Sequence, residues 1–413
     1  MKVYLRTFGC RANQYDSEQV RLAALRAGAE LVDDPADADA AVFNSCAVTA
    51  EAEVDLRKSI RGAARRNRTL RSVVMGCAAS LDRGALRELP TVEQVVPGGD
   101  VLGVAQALGF DPARLGDVVQ AQASTRALLR IQDGCDEHCT FCATTQARGA
   151  NRSRLPGELV AEARALAAHH PEIVLTGIHI GTWGRDIGTS LGALVTRLVR
   201  DVPAVRFRLT SVEATEVDAE LAAAFAAPGR LAPHLHAPLQ SGADRVLRRM
   251  GRHWYTAATY AAAVERLVAA HEVFALGADV IAGFPGETDA DHRTTVDLIR
   301  QLPFTYLHVF PYSARPGTAA TRLSDALPPP VVQERARELR AVGAAQAEAY
   351  RTSRSGGRAD VIVVRGDRAE GLTADYLTVS LGPDRLPRGT RFPARLTLAE
   401  GRLVATPIDA TAV

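Results

Sequence analysis

The sequence predicts an α/β chain in three parts: an amino-terminal parallel-sheet α/β domain, a central series of about six β/α units short of a closed eight-unit barrel, and a small carboxy-terminal all-β barrel. Three observations predict this. Apolar strand-like runs alternate with helical periodicity between residues 2 and 75. The alternation resumes at 127 and continues to 310. From about 358 it gives way to short β-prone runs divided by Gly, Pro and Asp.

In the first part, runs 2–8, 40–43 and 72–75 read as strands, with helical patterns at 17–27 and 50–66 between them. Cys10, Cys46 and Cys77 each fall just after one of these runs, and the carboxyl ends of parallel strands are where open α/β sheets gather ligands. Residues 109–124 mix Gly, Pro, Asp and Gln without a period and read as a linker. Strands are then expected at 127–132, 172–178, 206–212, 234–239, 275–284 and 306–310, with helices at 156–168, 191–200, 260–270 and 291–301. Pro328, Pro329 and Pro330 are expected to stop regular structure before a helix at 331–350. The tail offers strands at 360–364, 376–381, 391–398 and 402–406. Domains are thus expected at 1–120, 121–350 and 351–413.

A hydrophobic content of 47% can bury substantial cores, and a net charge of +2 neither demands nor excludes a nucleic-acid partner. Lys2 and Lys58 are the only lysines, so almost all positive charge is arginine. No secretory leader pattern opens the chain and no uncharged run reaches membrane-spanning length, so a cytoplasmic protein without a membrane partner is expected. Six cysteines in a reducing compartment read as metal-binding or catalytic before they read as disulfides.

Three of them, Cys135, Cys139 and Cys142, share one short loop after the first strand of the second series. Three thiolates on a tight loop can hold three irons of a 4Fe-4S cube and leave the fourth open to a substrate. The bland alternative is structural zinc, completed by His138 or a distant partner.

The three-then-two spacing with Phe141 before the last cysteine resembles the signature loop of the radical S-adenosylmethionine superfamily. The resemblance implies Cys135, Cys139 and Cys142 as cluster ligands, Phe141 as an adenine neighbour, and cleavage of S-adenosylmethionine to a 5′-deoxyadenosyl radical. Further along, Leu175-Thr176-Gly177-Ile178-His179, Arg208-Leu209-Thr210-Ser211-Val212-Glu213, His234-Leu235-His236-Ala237-Pro238-Leu239-Gln240 and Gly283-Phe284-Pro285-Gly286-Glu287-Thr288 resemble, in order, strand-end motifs of the methylthiotransferase branch. Singly each is an ordinary turn. By the same resemblance Gly177, Glu213 and Gln240 line the S-adenosylmethionine pocket.

The stretches Phe8-Gly9-Cys10-Arg11-Ala12-Asn13-Gln14-Tyr15, Asn44-Ser45-Cys46-Ala47-Val48-Thr49 and Met75-Gly76-Cys77-Ala78 look like the cysteine motifs that hold this branch's auxiliary 4Fe-4S cluster. That implies two clusters, with Cys10, Cys46 and Cys77 as the second ligand trio; the alternative is three buried inert thiols. The first two stretches most resemble enzymes acting on threonylcarbamoyladenosine in tRNA, rather than on isopentenyladenosine in tRNA or on a ribosomal-protein aspartate. The ribosomal branch's Pro-Lys pair after the first cysteine is absent. Ala143-Thr144-Thr145-Gln146 and Ala214 depart from the family pattern.

The tail, with Gly371-Leu372-Thr373-Ala374-Asp375-Tyr376 leading into a strand, is similar to the RNA-binding TRAM barrel. Arg354, Arg358, Arg388 and Arg391, with Arg351, Arg385 and Arg395, are expected to meet phosphates and Tyr376 to stack on a base. An exposed barrel also carries arginines as an ordinary solvated face. A second basic stretch, Arg57, Lys58, Arg61, Arg65, Arg66, Arg68 and Arg71, reads as helix surface. The expected function is methylthiolation of threonylcarbamoyladenosine beside the anticodon, with tRNA as partner and a separate electron donor and sulfur source. The rival outside this class is a non-catalytic, zinc-containing RNA-binding protein.

Overall fold

The computed structural model describes residues 1–47, 50–111, 121–227, 229–382 and 386–408. Val48 and Thr49 of the second cysteine motif, Arg385 and most of the expected linker lie outside them.

The amino-terminal part contains β1 (Lys2–Thr7), α1 (Arg11–Arg26), β2 (Glu30–Val32), β3 (Ala40–Ser45), α2 (Ala50–Arg66), β4 (Arg71–Gly76), α3 (Cys77–Leu81), β5 (Val92–Pro97) and α4 (Val101–Ala107). The strands form one parallel sheet in the order β2-β1-β3-β4-β5. Every residue of β3 is buried, as a central strand covered on both faces must be. Phe43, Leu56, Ile60 and Val74 pack on one face, and Val3, Val20, Val42 and Val104 on the other. The edge strands β2 and β5 have no counterpart in the sequence expectation: one is very short and the other half exposed, so neither shows an apolar run.

This order reverses direction between β1 and β3, which makes their carboxyl ends the topological switch point where such sheets bind ligands. Cys10 and Cys46 lie just past those two ends, and Cys77 just past the adjacent β4.

The central part runs through β6 (Ala127–Arg130), β7 (Gln132–Asp133), α5 (Thr144–Arg148), β8 (Arg152–Ser153), α6 (Pro156–Ala167), β9 (Glu172–Thr176), α7 (Leu191–Asp201), β10 (Arg206–Leu209) and α8 (Ala219–Ala226). It continues with β11 (His234–His236), α9 (Asp244–Arg249), α10 (Ala257–Ala269), β12 (Ala275–Ala282), α11 (Asp289–Gln301), β13 (Tyr306–Pro311) and α12 (Pro329–Ser353). Two parallel sheets, β10-β9-β6 and β11-β12-β13, meet through a parallel bridge from Ser211 to His236. The result is the partial (β/α)6 arc expected. Its inner core includes Leu129, Leu175, Phe207, Leu235 and Val280, each fully or almost fully buried.

The proline run acts differently from expectation. Pro329 and Pro330 start α12 rather than standing before it, because proline suits the first turn, where an N–H has no partner to lose. The helix ends at Ser353, slightly past the expected boundary at 350.

The last part, β14 (Arg358–Arg365), β15 (Glu370–Thr373), β16 (Thr378–Ser380), β17 (Arg391–Ala399) and β18 (Arg402–Pro407), closes into a barrel in the order β14-β15-β16-β18-β17. Val361, Val363, Val379, Leu396 and Leu403 fill it. Gly371-Leu372-Thr373 is itself a strand, and Tyr376 sits in the turn after it at φ 67°. Among the described residues, no helix is long and apolar enough to cross a membrane.

Candidate functional site

The first site is assembled by the sheet. Gly9 adopts φ 94°, and a Cβ there would come 2.6 Å from Cys46 Sγ, so only glycine lets the Cys10 loop lie on the Cys46 loop. Asn13, fully buried, joins the three cysteine loops: its Nδ2 donates to Phe8 O (2.9 Å) and Ser45 O (2.7 Å), and its Oδ1 faces Cys77 Sγ (3.8 Å). Burial pushes the Cys77 thiol up, with Arg148 opposing and the nearby Cys10 adding to it. The early cysteines therefore gather at one sheet edge.

Arg148 ties that edge to the central arc. It sits at the end of α5, directly after the 135–142 loop, and donates to Cys77 Sγ (3.3 Å), Asn13 Oδ1 (2.7 Å), Asp16 Oδ2 (2.8 Å) and Asp133 Oδ1 (3.1 Å). A buried guanidinium with this set of partners is a structural pin between the two sites.

The second site is a loop held from below. Gly134 takes φ 72°, where a Cβ would strike Ala150 O, and Cys135 N donates to Gly149 O (3.0 Å). His179 Nδ1 lies 3.7 Å from Cys135 Sγ. Burial alone would lower the His179 pKa, but hydrogen bonds to Cys135 and Glu216 and the carboxylates of Glu216 and Glu213 raise it to about 10, so a cation stands beside Cys135. Arg252 Nη1 donates to Cys139 Sγ (3.4 Å), while its other nitrogens serve Tyr255 Oη (2.9 Å) and Glu213. Burial pushes the Cys139 thiol up to about 12 against that guanidinium. Thr144 N donates to Cys142 Sγ (3.4 Å).

Both trios are sets of soft sulfur donors with cationic support, which fits iron-sulfur clusters. Tetrahedral zinc with bonds of about 2.3 Å would hold its sulfurs under roughly 4 Å apart. Among the described residues the groups tight enough for one ion, His236–Asp279–His308 and His179–Glu213–Glu216, contain no cysteine. His138, which the zinc alternative would have to recruit if no distant partner completed the tetrahedron, is an exposed loop residue.

A cavity of about 480 Å³ lies between the sheet edge and the mouth of the arc, lined by Cys10 and Cys46 on one side and Gly177, Arg208, His234 and Asp279 on the other. A smaller cavity of about 170 Å³ adjoins it through Asp279 and Phe310, and is lined by Phe141, Gln240 and Arg315. Phe141 and Gln240 thus meet in one cavity and Gly177 in its neighbour. Gln240 itself sits at φ 63°, bridged to Val280. Glu213 is held by Arg252 and Trp254 beside Cys139. Arg315 is only 4% exposed, with Nε and Nη2 unpartnered among the described residues.

The residues expected to meet RNA separate in the structure. Arg354 is buried and paired with Asp375 (2.7 Å), so it ties the end of α12 to the barrel rather than facing phosphate. Tyr376 is no surface stacking platform: its ring lies 4.4 Å from that of His234 and lines the large cavity. Arg391 pairs with Asp360 (2.7 Å), while Arg358 is exposed. Arg388 lines a groove of about 640 Å³ with Arg11, Arg126, Arg365 and Tyr376.

Asn13, Arg148, Arg208 and Arg252 are functional neighbours that sequence reasoning left unassigned. Asn13 and Arg208 stand inside quoted motifs; Arg148 and Arg252 carry no local signal.

Two family models match the chain: "Uncharacterized protein family UPF0004" over residues 2–98 and the radical SAM superfamily over 129–299. The chain is 35% identical over 350 residues to the threonylcarbamoyladenosine tRNA methylthiotransferase MtaB of Thermotoga maritima, covering 81% of this chain and 80% of that one. It is 36% identical to the Bacillus subtilis protein of the same name, with coverages of 84% and 81%. A tRNA-2-methylthio-N(6)-dimethylallyladenosine synthase of a Parafrankia species is 34% identical, over 88% of this chain and 78% of that one. Among solved structures, the radical S-adenosylmethionine methyltransferase TsrM of Kitasatospora setae matches with a TM-score of 0.55 and 17% identity, over 76% of this chain and 74% of that one, a likeness of fold alone.

Proposed function

This chain belongs to the radical S-adenosylmethionine tRNA methylthiotransferase family, and from that premise we propose that it converts N6-threonylcarbamoyladenosine beside the anticodon to its 2-methylthio derivative. The observation that carries the reading is the shared cavity: Cys10 and Cys46 of the sheet edge face Gly177 and the strand ends of the arc across one space large enough for a nucleoside.

We assign Cys135, Cys139 and Cys142 to the cluster that binds S-adenosylmethionine, and Cys10, Cys46 and Cys77 to an auxiliary 4Fe-4S cluster. When bound, these groups supply a 5′-deoxyadenosyl radical by one-electron cleavage of the sulfonium and the sulfur to be transferred. The protein's share is position and charge. His179 and Arg252 set positive charge beside the sulfurs of Cys135 and Cys139, which favours the thiolate forms a metal needs. Phe141 and Gln240 shape the small cavity for the adenosine of S-adenosylmethionine, and Arg315, with N–H groups to spare, suits its carboxylate. The sheet edge and Tyr376 wall the large cavity, which limits the access of outside hydrogen-atom donors to a carbon radical.

We divide the labour among residues 1–120 for the auxiliary cluster, 121–353 for the radical chemistry and 354–413 for RNA contact in the cytoplasm. Anaerobically reconstituted enzyme, given reductant, S-adenosylmethionine and tRNA bearing threonylcarbamoyladenosine, is expected to yield the 2-methylthio nucleoside. Intact clusters with no such product would reject the substrate. The Parafrankia relative favours dimethylallyladenosine as second reading, and parallel assays of both tRNAs separate them.

A further inference from the structure

Arg11 and Tyr376 stand at the boundary of two spaces. Both line the arginine-rich groove and both line the large cavity. Arg11 Nη2 donates to Tyr376 Oη (2.8 Å), which holds the guanidinium over the cavity entrance. The wall behind carries surplus positive charge. Glu172 is fully buried and is shared by three guanidiniums, Arg126 (3.3 Å), Arg206 (2.6 Å) and Arg208 (2.9 Å). Arg208 is 1% exposed, lines the cavity, and its Nη1 has no partner among the described residues. Its Cζ lies 5.1 Å from the Tyr376 ring centroid, so Arg208 and Arg11 flank the same tyrosine. An unsatisfied buried N–H is costly, and a cavity with two guanidiniums answers that cost with an anion.

We propose that Arg11 and Arg208 form a carboxylate seat for the amino-acid arm on N6 of the substrate adenosine, making this cavity selective for an acidic over a hydrocarbon N6 substituent. The inference rests on the threonylcarbamoyladenosine reading, because that nucleoside carries a free threonine carboxylate and dimethylallyladenosine carries none. The base enters from the groove past Tyr376, with its arm directed to the two arginines. His234, stacked on Tyr376 and kept neutral by burial and by Arg208, adds no competing charge. Asp279, the acid that also lines this cavity, is engaged by His236 (3.0 Å) and His308 (3.3 Å).

The test uses reconstituted holoenzyme and three anticodon stem-loop RNAs, carrying threonylcarbamoyladenosine, its threoninamide analogue, or dimethylallyladenosine. Dissociation constants are read without reductant, and methylthiolation is read with it. The parent enzyme is expected to bind the carboxylate RNA about tenfold or more tighter than the amide. Arg11→Gln should erase that ratio while keeping iron content, and Arg11→Lys should restore part of it. An equal loss on all three RNAs would make Arg11 a phosphate contact and overturn the proposal. So would a raised S-adenosylmethionine requirement for RNA-free 5′-deoxyadenosine formation, which would assign Arg11 to the cofactor's carboxylate, or loss of iron. Parent enzyme that modifies only the dimethylallyl RNA would instead sink the substrate reading, and the seat with it. Modification of the carboxylate RNA with no binding preference over the amide sinks the seat alone.

Discussion

The two cysteine trios reach the same kind of donor set by opposite routes. Cys135, Cys139 and Cys142 lie within one loop, so their spacing is set by a few backbone angles and by hydrogen bonds from beneath. Cys10, Cys46 and Cys77 are brought together by three adjacent parallel strands, so their spacing is set by a whole sheet and by Asn13 and Arg148. A local site survives injury to its surroundings, whereas an assembled one inherits every weakness of the fold that assembles it. Substitutions that loosen the sheet edge should therefore separate the two activities.

The largest effect is expected at the ligands. Cys46→Ala should abolish methylthiolated product while reductive cleavage of S-adenosylmethionine persists, whereas Cys139→Ala should abolish both; chromatography of 5′-deoxyadenosine and of digested RNA checks this. Next comes Arg148→Met, which leaves Asp16 buried with one cationic partner fewer. It should cost about 3–5 kcal/mol in thermal unfolding and impair product more than S-adenosylmethionine cleavage. Asn13→Ala leaves Phe8 O and Ser45 O short of a donor and should cost about 1–3 kcal/mol, with iron lost first from the sheet-edge site. Equal loss from both sites in either variant would break the contrast. The smallest effect is expected at the groove. Arg388→Ala should weaken tRNA binding a few-fold and reduce the salt slope by about one, without altering either cluster.

The same contrast explains what the sequence makes legible. The 135–142 loop is readable because ligands and spacing sit side by side. The sheet-edge trio is readable for another reason: each cysteine follows an apolar run, and topology converts that position into proximity. The partial barrel is legible from its β/α rhythm. Arg252 and Arg148 are not, because their sulfur partners lie 113 and 71 positions away and no local pattern marks them. Edge strands β2 and β5 escape because half-exposed strands need little apolar sequence. Arg354 and Tyr376 show the limit from the other side: a surface composition does not reveal that one arginine has a buried aspartate beneath it, or that one tyrosine turns inward to stack on His234.

If the sheet edge holds an iron-sulfur centre of its own, iron and sulfide counting with electron paramagnetic resonance after reduction will register it. About eight irons per chain are expected for the parent, falling to about four with one reduced-cluster signal retained when Cys10, Cys46 and Cys77 are all replaced by alanine. A parent with only about four irons, or a triple variant that keeps the full complement, would contradict it.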